Sequence, residues 1–123
     1  MNNEVVTAAP AATLEGVIRE PGWTQGLAID SLEAGTTFIV HTANSAYRLV
    51  VVDPFERCVL VTGGAFAQPV SAFLHGASGG NLLRIGWIAV GLRMELFVDG
   101  RRCVTSRVRS ISRTVARETK KRR

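Results

Sequence analysis

His41 and His75, with Cys58 and Cys103, are the chain's whole stock of imidazole and thiol groups. A zinc site needs three or four converging ligands, and these four show no CxxC and no ligand-spaced histidine. With no export signal evident in the sequence, the two cysteines, 45 positions apart, read as reduced and mostly buried thiols. Nucleophilic catalysis needs a base oriented beside Ser or Cys. His41 lies inside a β-rich run and reads as a hydrogen-bonded structural histidine. His75 can be grouped with Ser71, Ser78 or Asp53 on paper, but no spacing supports it. The run Gly76-Ala77-Ser78-Gly79-Gly80 offers backbone N–H groups to a phosphate. A phosphate loop, however, joins a strand to a helix N-terminus and carries Lys-Ser/Thr. Here Asn81-Leu82-Leu83-Arg84 leads into another β-like run. Asp53, Glu56 and Asp99 fall in turns, and Glu95 stands beside Arg93 with no evident partner. The expectation is a non-enzymatic protein with no metal, no cofactor and no small-molecule substrate.

Cations are the more informative groups. The net charge is +5, but residues 1–99 hold 5 arginines against 9 acids (−4) and residues 100–123 hold 10 cations against Glu118 (+9). The ten are Arg101, Arg102, Arg107, Arg109, Arg113, Arg117, Lys120, Lys121, Arg122 and Arg123. Cations clustered this way release counterions from a phosphate backbone and bind it without regard to sequence. A basic end can equally keep a protein in solution or dock on an acidic partner. No RNP motif, zinc finger or helix-turn-helix pattern is present, and Tyr47 and Trp87 do not read as an array of stacking platforms.

The elements that must position these groups are read from composition and period. Apolar residues make up 46% and charged residues 20% of the chain, a globular mixture. The longest uncharged apolar run, residues 85–92, is far short of the roughly 20 residues a membrane-spanning helix needs. Residues 1–12 read as a disordered arm and residues 13–20 as a short strand or helical turn. Residues 31–35 form a turn into a first β run at 36–42 (TTFIVHT), rich in β-branched side chains. Residues 47–53 (YRLVVVD) follow, too apolar to have one wet face and therefore central. Asp53-Pro54-Phe55-Glu56-Arg57 turns the chain into residues 58–62 (CVLVT). Residues 63–81, with two Gly-Gly pairs and Pro69, read as a long loop packed down by Phe66, Phe73 and Leu74. Residues 82–98 read as one long β stretch bent at Gly86 and Gly91. Asp99-Gly100 is the strongest hairpin signal in the chain, since a type I′ turn needs positive φ at both central residues. It predicts that residues 92–98 pair antiparallel with 103–111. Period two in residues 103–112 puts Arg107, Arg109 and Arg113 on one face, with Ile111 interrupting it. A faint echo between Val52-Asp53…Arg57-Cys58-Val59 and Val98-Asp99…Arg102-Cys103-Val104 reflects shared hairpin chemistry.

The strings Asn44-Ser45-Ala46-Tyr47-Arg48, Gly79-Gly80-Asn81-Leu82, Gly86-Trp87-Ile88, Gly91-Leu92-Arg93-Met94-Glu95-Leu96 and Val104-Thr105-Ser106 resemble a type of small, uncharacterised bacterial all-β protein. The resemblance spans residues 35–112 and implies bacterial origin and one compact domain. It leaves the basic tail at 113–123 outside. The sequence therefore points to an all-β fold, a small barrel or sandwich of about six or seven short antiparallel strands, with a domain at 13–112 and a basic tail at 113–123. It is expected to be cytoplasmic, not bound to membranes, and to bind an anionic partner, foremost nucleic acid (RNA or DNA). The alternative is a self-associating structural or protein-interaction module with no nucleic-acid role, a homo-oligomer that buries a strand edge or the glycine-rich loop against copies of itself, with the apolar segment 82–92 as a contact surface.

Overall fold

A computed structural model describes residues 17–18 and 25–114. Among the described residues there are ten strands and one short 3-10 helix: β1 (Val17–Ile18), β2 (Gly26–Ala28), the 3-10 turn Ile29–Ser31, β3 (Thr37–Thr42), β4 (Ala46–Asp53), β5 (Cys58–Gly63), β6 (Phe66–Gly79), β7 (Leu82–Ile85), β8 (Trp87–Ala89), β9 (Arg93–Val98) and β10 (Arg101–Thr114). All pairings are antiparallel. They run β9–β10–β3–β4–β5–β6 and return from β6 to β9, so the ladder is ring-like. β7 adds to β6, β1 pairs the end of β10, and β2 with β8 forms a separate two-stranded sheet. The all-β expectation is met. No helix among the described residues is long and apolar enough to cross a membrane.

Alternation explains the ring. β3 buries Phe38, Val40 and Thr42, β4 buries Tyr47, Leu49 and Val51, and β5 buries Val59 and Val61. With Leu74, Leu96 and Ile111 they fill one core, to which the two-stranded sheet adds Leu27 and Ile88. Period two sends every other side chain inward, where burial stabilises a Val or Leu by about 1.5–3 kcal/mol. β4 is paired on both sides, as expected of a central strand, yet it has a wet face: Arg48 and Val52 point out of the ring and are exposed. In the turn after it, the Asp53 Oδ1 accepts from the N–H groups of Phe55 and Glu56 at 3.0 and 3.2 Å.

Two expectations are corrected. Residues 63–81 are not a loop, because 66–79 form the 14-residue strand β6. It pairs β5 through Phe66–Phe73 and β9 through Phe73–Ser78. Near its end it is flanked on the other side by β7. There the backbones come so close that a Cβ on Gly76 would run into the carbonyl oxygen of Arg84. Small residues in this run are a packing requirement. Residues 82–98 are likewise three strands, β7, β8 and β9. Gly86 breaks the run at φ +76°, and a turn at Gly91 breaks it again.

The expected antiparallel hairpin is met over residues 93–98 and 101–107, with a register shift between Arg93 and Glu95, while residues 108–113 pair β3. Val98 pairs Arg101, Phe97 pairs Arg102 and Arg93 pairs Arg107, with Asp99 and Gly100 at φ 54° and 76° as a type I′ turn requires. β10 continues to Thr114, where Arg113 and Thr114 pair with Ile18 and Val17. The ladder therefore passes the expected boundary at residue 112. The expected arm at 1–12 and residues 115–123 of the tail lie outside the described residues.

Candidate nucleic-acid interface

The arginines of β10 do not share one face. Val108 pairs Thr42 and Ser110 pairs His41, so residue 109 is an extra residue, a bulge that resets the alternation. Beyond it Arg113 pairs Phe38, and paired residues point to the same side. Arg113 thus falls on the core-facing side of the ladder, exposed at the strand's end, while Arg107 points outward. Arg109 is exposed at the bulge itself. Arg117, Lys120, Lys121, Arg122 and Arg123 lie outside the described residues.

Arg107 has an unexpected neighbour. Its register partner is Arg93 of β9, and both are exposed. Arg93 donates to the Thr105 carbonyl at 3.3 Å and Arg107 to the Gly91 carbonyl at 3.2 Å. Among the described residues neither is ion-paired, since both ion pairs found there belong to Glu95. Like charges directly opposite across an antiparallel pair destabilise a sheet. Arg93 was missed as a site residue, although counting back from Asp99-Gly100 brings it near Arg107.

Glu95 is the polar centre of this region. Its carboxylate is 6% exposed and takes two hydrogen bonds from Arg102, Nε to Oε1 at 3.0 Å and a terminal N–H to Oε2 at 3.1 Å. His75 Nδ1 lies 3.3 Å from Oε1. The hydrogen bonds from Arg102, and secondarily from Ser78, hold the Glu95 carboxyl down at about 2 against the opposing effect of burial. The pairing acts both ways, and the carboxylate raises the Arg102 guanidinium. Arg102 is therefore spent on Glu95, whereas Arg101 stands exposed at the turn. His75 is partnered by this acid and not by Ser71 or Asp53. Ser78 and His75 both meet the carboxylate, so the acid is central, unlike the nucleophile–base–acid order of hydrolases.

An aromatic row crosses the same outer face. Register places Cys58 beside Phe73, Phe73 beside Phe97 and Phe97 beside Arg102. Phe73 is 52% exposed. Phe73 and Phe97 line an open groove of about 580 Å³ with Ser71, Asp99 and Gly100. The His75 ring sits 5.1 Å from that of Phe97, tilted by 54°. The two aromatics singled out in the sequence are elsewhere. Tyr47 is buried in the core, and Trp87 is covered by the Arg84 guanidinium 3.8 Å from its ring centre. Cys58 and Cys103 are free, half-buried thiols. Burial, then the Asp53 and Glu56 carboxylates, push the Cys58 thiol up, which keeps it protonated. Among the described residues no three His, Cys, Asp or Glu side chains group as metal ligands do.

No family model matches the chain, and no curated protein or solved structure shows significant similarity to it. The likeness of residues 35–112 to small bacterial all-β proteins thus gains no match, and the site rests on its own chemistry.

Proposed function

We propose that this protein binds nucleic acid without enzymatic turnover, gripping the phosphate backbone with outward arginines of β9 and β10 and with the basic C-terminus. The observation that carries the reading is the Arg93–Arg107 pair: two exposed cations held opposite each other with no carboxylate between them. A phosphate placed there meets two cations and releases their counterions. Five further cations follow at 117–123 in the sequence. The test is whether the purified full-length protein carries nucleic acid. An excess absorbance at 260 nm that nuclease or high salt removes is expected, and protein that never shows it even from low-salt lysis speaks against the proposal.

A second reading, self-association, is favoured by β7. Among the described residues this strand pairs only with β6. Leu82, Leu83 and Ile85 on it are 50%, 41% and 51% exposed. A short, apolar, unpaired edge is a template for another strand. A symmetric dimer is the simplest product. Light scattering is expected to report a dimer at high micromolar concentration and a monomer for Leu83→Lys. A wild-type monomer under those conditions removes the reading.

A further inference from the structure

We propose that the groove between Phe73 and Phe97 is a stacking platform for the unpaired bases of a single-stranded nucleic acid. This rests on the nucleic-acid reading above and assigns it a strand type. Phe73 and Phe97 are register partners whose side chains face solvent across one open groove. Phe73 is half-exposed and Phe97 partly exposed, and two such rings in adjacent positions form a surface that favours a flat apolar ligand. The surround is rigid. Glu95 anchors Arg102 on one side of Phe97 and His75 on the other, so a planar guanidinium and a second ring are already fixed beside the aromatic face. Bases stack on rings and on guanidinium planes alike, and a fixed plane loses little freedom on binding.

Charge selects the occupant. Arg101 borders the groove's hairpin, and alternation puts Arg93, Glu95 and Phe97 on the same outer face of β9. The Arg93–Arg107 pair therefore lies about 13 Å along the strand from the platform, at about 3.3 Å per residue. A strand lying along β9 meets phosphate-binding cations and base-binding rings on one surface. An apolar protein segment would leave the arginine pair unused. A duplex keeps its bases stacked internally and offers the rings nothing.

The experiment compares anisotropy of three labelled probes with the full-length protein: oligothymidylate of about 12 nucleotides, an abasic phosphodiester of equal length, and a duplex of that length. Oligothymidylate is expected to bind about 10-fold or more tightly than the abasic backbone. Phe73→Leu, a change that keeps an apolar side chain in the strand, is expected to erase most of that difference without changing abasic affinity or its salt slope. Equal binding of the two single strands by the wild type, duplex bound as tightly as oligothymidylate, or a preference that survives Phe73→Leu overturns the platform. Base-selective binding that ignores salt supports the platform and overturns the phosphate reading, and no binding of any probe at low salt overturns both. Should the variant lose its cooperative melt, titrating the wild type with thymidine monophosphate decides. Shifts of the Phe73 and Phe97 ring protons support the platform, and unmoved rings overturn it.

Discussion

Replacing Glu95 with Gln should lower the melting midpoint at neutral pH by roughly 5–20 °C, equivalent to about 1–3 kcal/mol in a domain of this size. Removing one partner of a fully buried ion pair costs about 3–5 kcal/mol. The lower figure applies because Arg102 is 61% exposed and water screens its charge. The pH dependence has a definite sign. The folded Glu95 carboxyl is held at about 2, below its ordinary value of 4.5. Its contribution is complete above about pH 4.5 and disappears as pH falls toward 2, where both states are protonated. The gap in midpoint between wild type and Glu95→Gln should therefore close across that window. Thermal melts followed by circular dichroism at a series of pH values check it. A variant with an unchanged midpoint at neutral pH would show that Glu95 holds nothing in place.

The Arg93–Arg107 pair gives the second large effect, because its consequences for folding and binding have opposite signs. Arg93→Glu places an acid opposite Arg107 and should stabilise the sheet by about 0.2–1 kcal/mol. The same change should weaken binding to a single strand. Changing both residues to Gln removes two phosphate contacts, each worth about 0.7 log units per log unit of salt, or about 25-fold in affinity at about 0.1 M salt relative to 1 M. Paired melting and binding curves measure both. A variant that melts lower and binds as before would make the pair structural.

How far the sequence carried this account follows from what kind of information each feature needs. β3, β4 and β5 are legible because β-branched runs end at turn residues, and the β9–β10 register follows from Asp99-Gly100 as far as Glu95, beyond which a one-residue shift sets Arg93 against Arg107. That register also contains a signal that reasoning from single residues overlooked: counting outward from the turn sets Phe97 against Arg102 and brings Glu95 within its reach. β6 was illegible because its small residues mimic a loop; Gly76 is required by β7 passing close on one side, a fact of tertiary packing. The arginine faces of β10 failed at one residue. Period two assumes an uninterrupted ladder, and the pairing of β10 with β3 is bulged at residue 109. The Phe73–Phe97 row needed both β6 and the hairpin, so it emerges only when the strands are assembled.

The proposed binding of a phosphate backbone rests on the exposed Arg93 and Arg107 and on the basic C-terminus. Anisotropy of a labelled single strand with the full-length protein, from about 50 to about 200 mM salt, tests it most directly. Log affinity should fall linearly with log salt. Truncation after Thr114 keeps the β10 ladder while removing Arg117, Lys120, Lys121, Arg122 and Arg123. It should reduce the slope by up to about 3.5, at about 0.7 per cation engaged, and leave the melting midpoint nearly unchanged. Full-length protein that binds no strand at the lowest salt, or binds with a slope indifferent to that truncation and to the loss of Arg93 and Arg107, would contradict it.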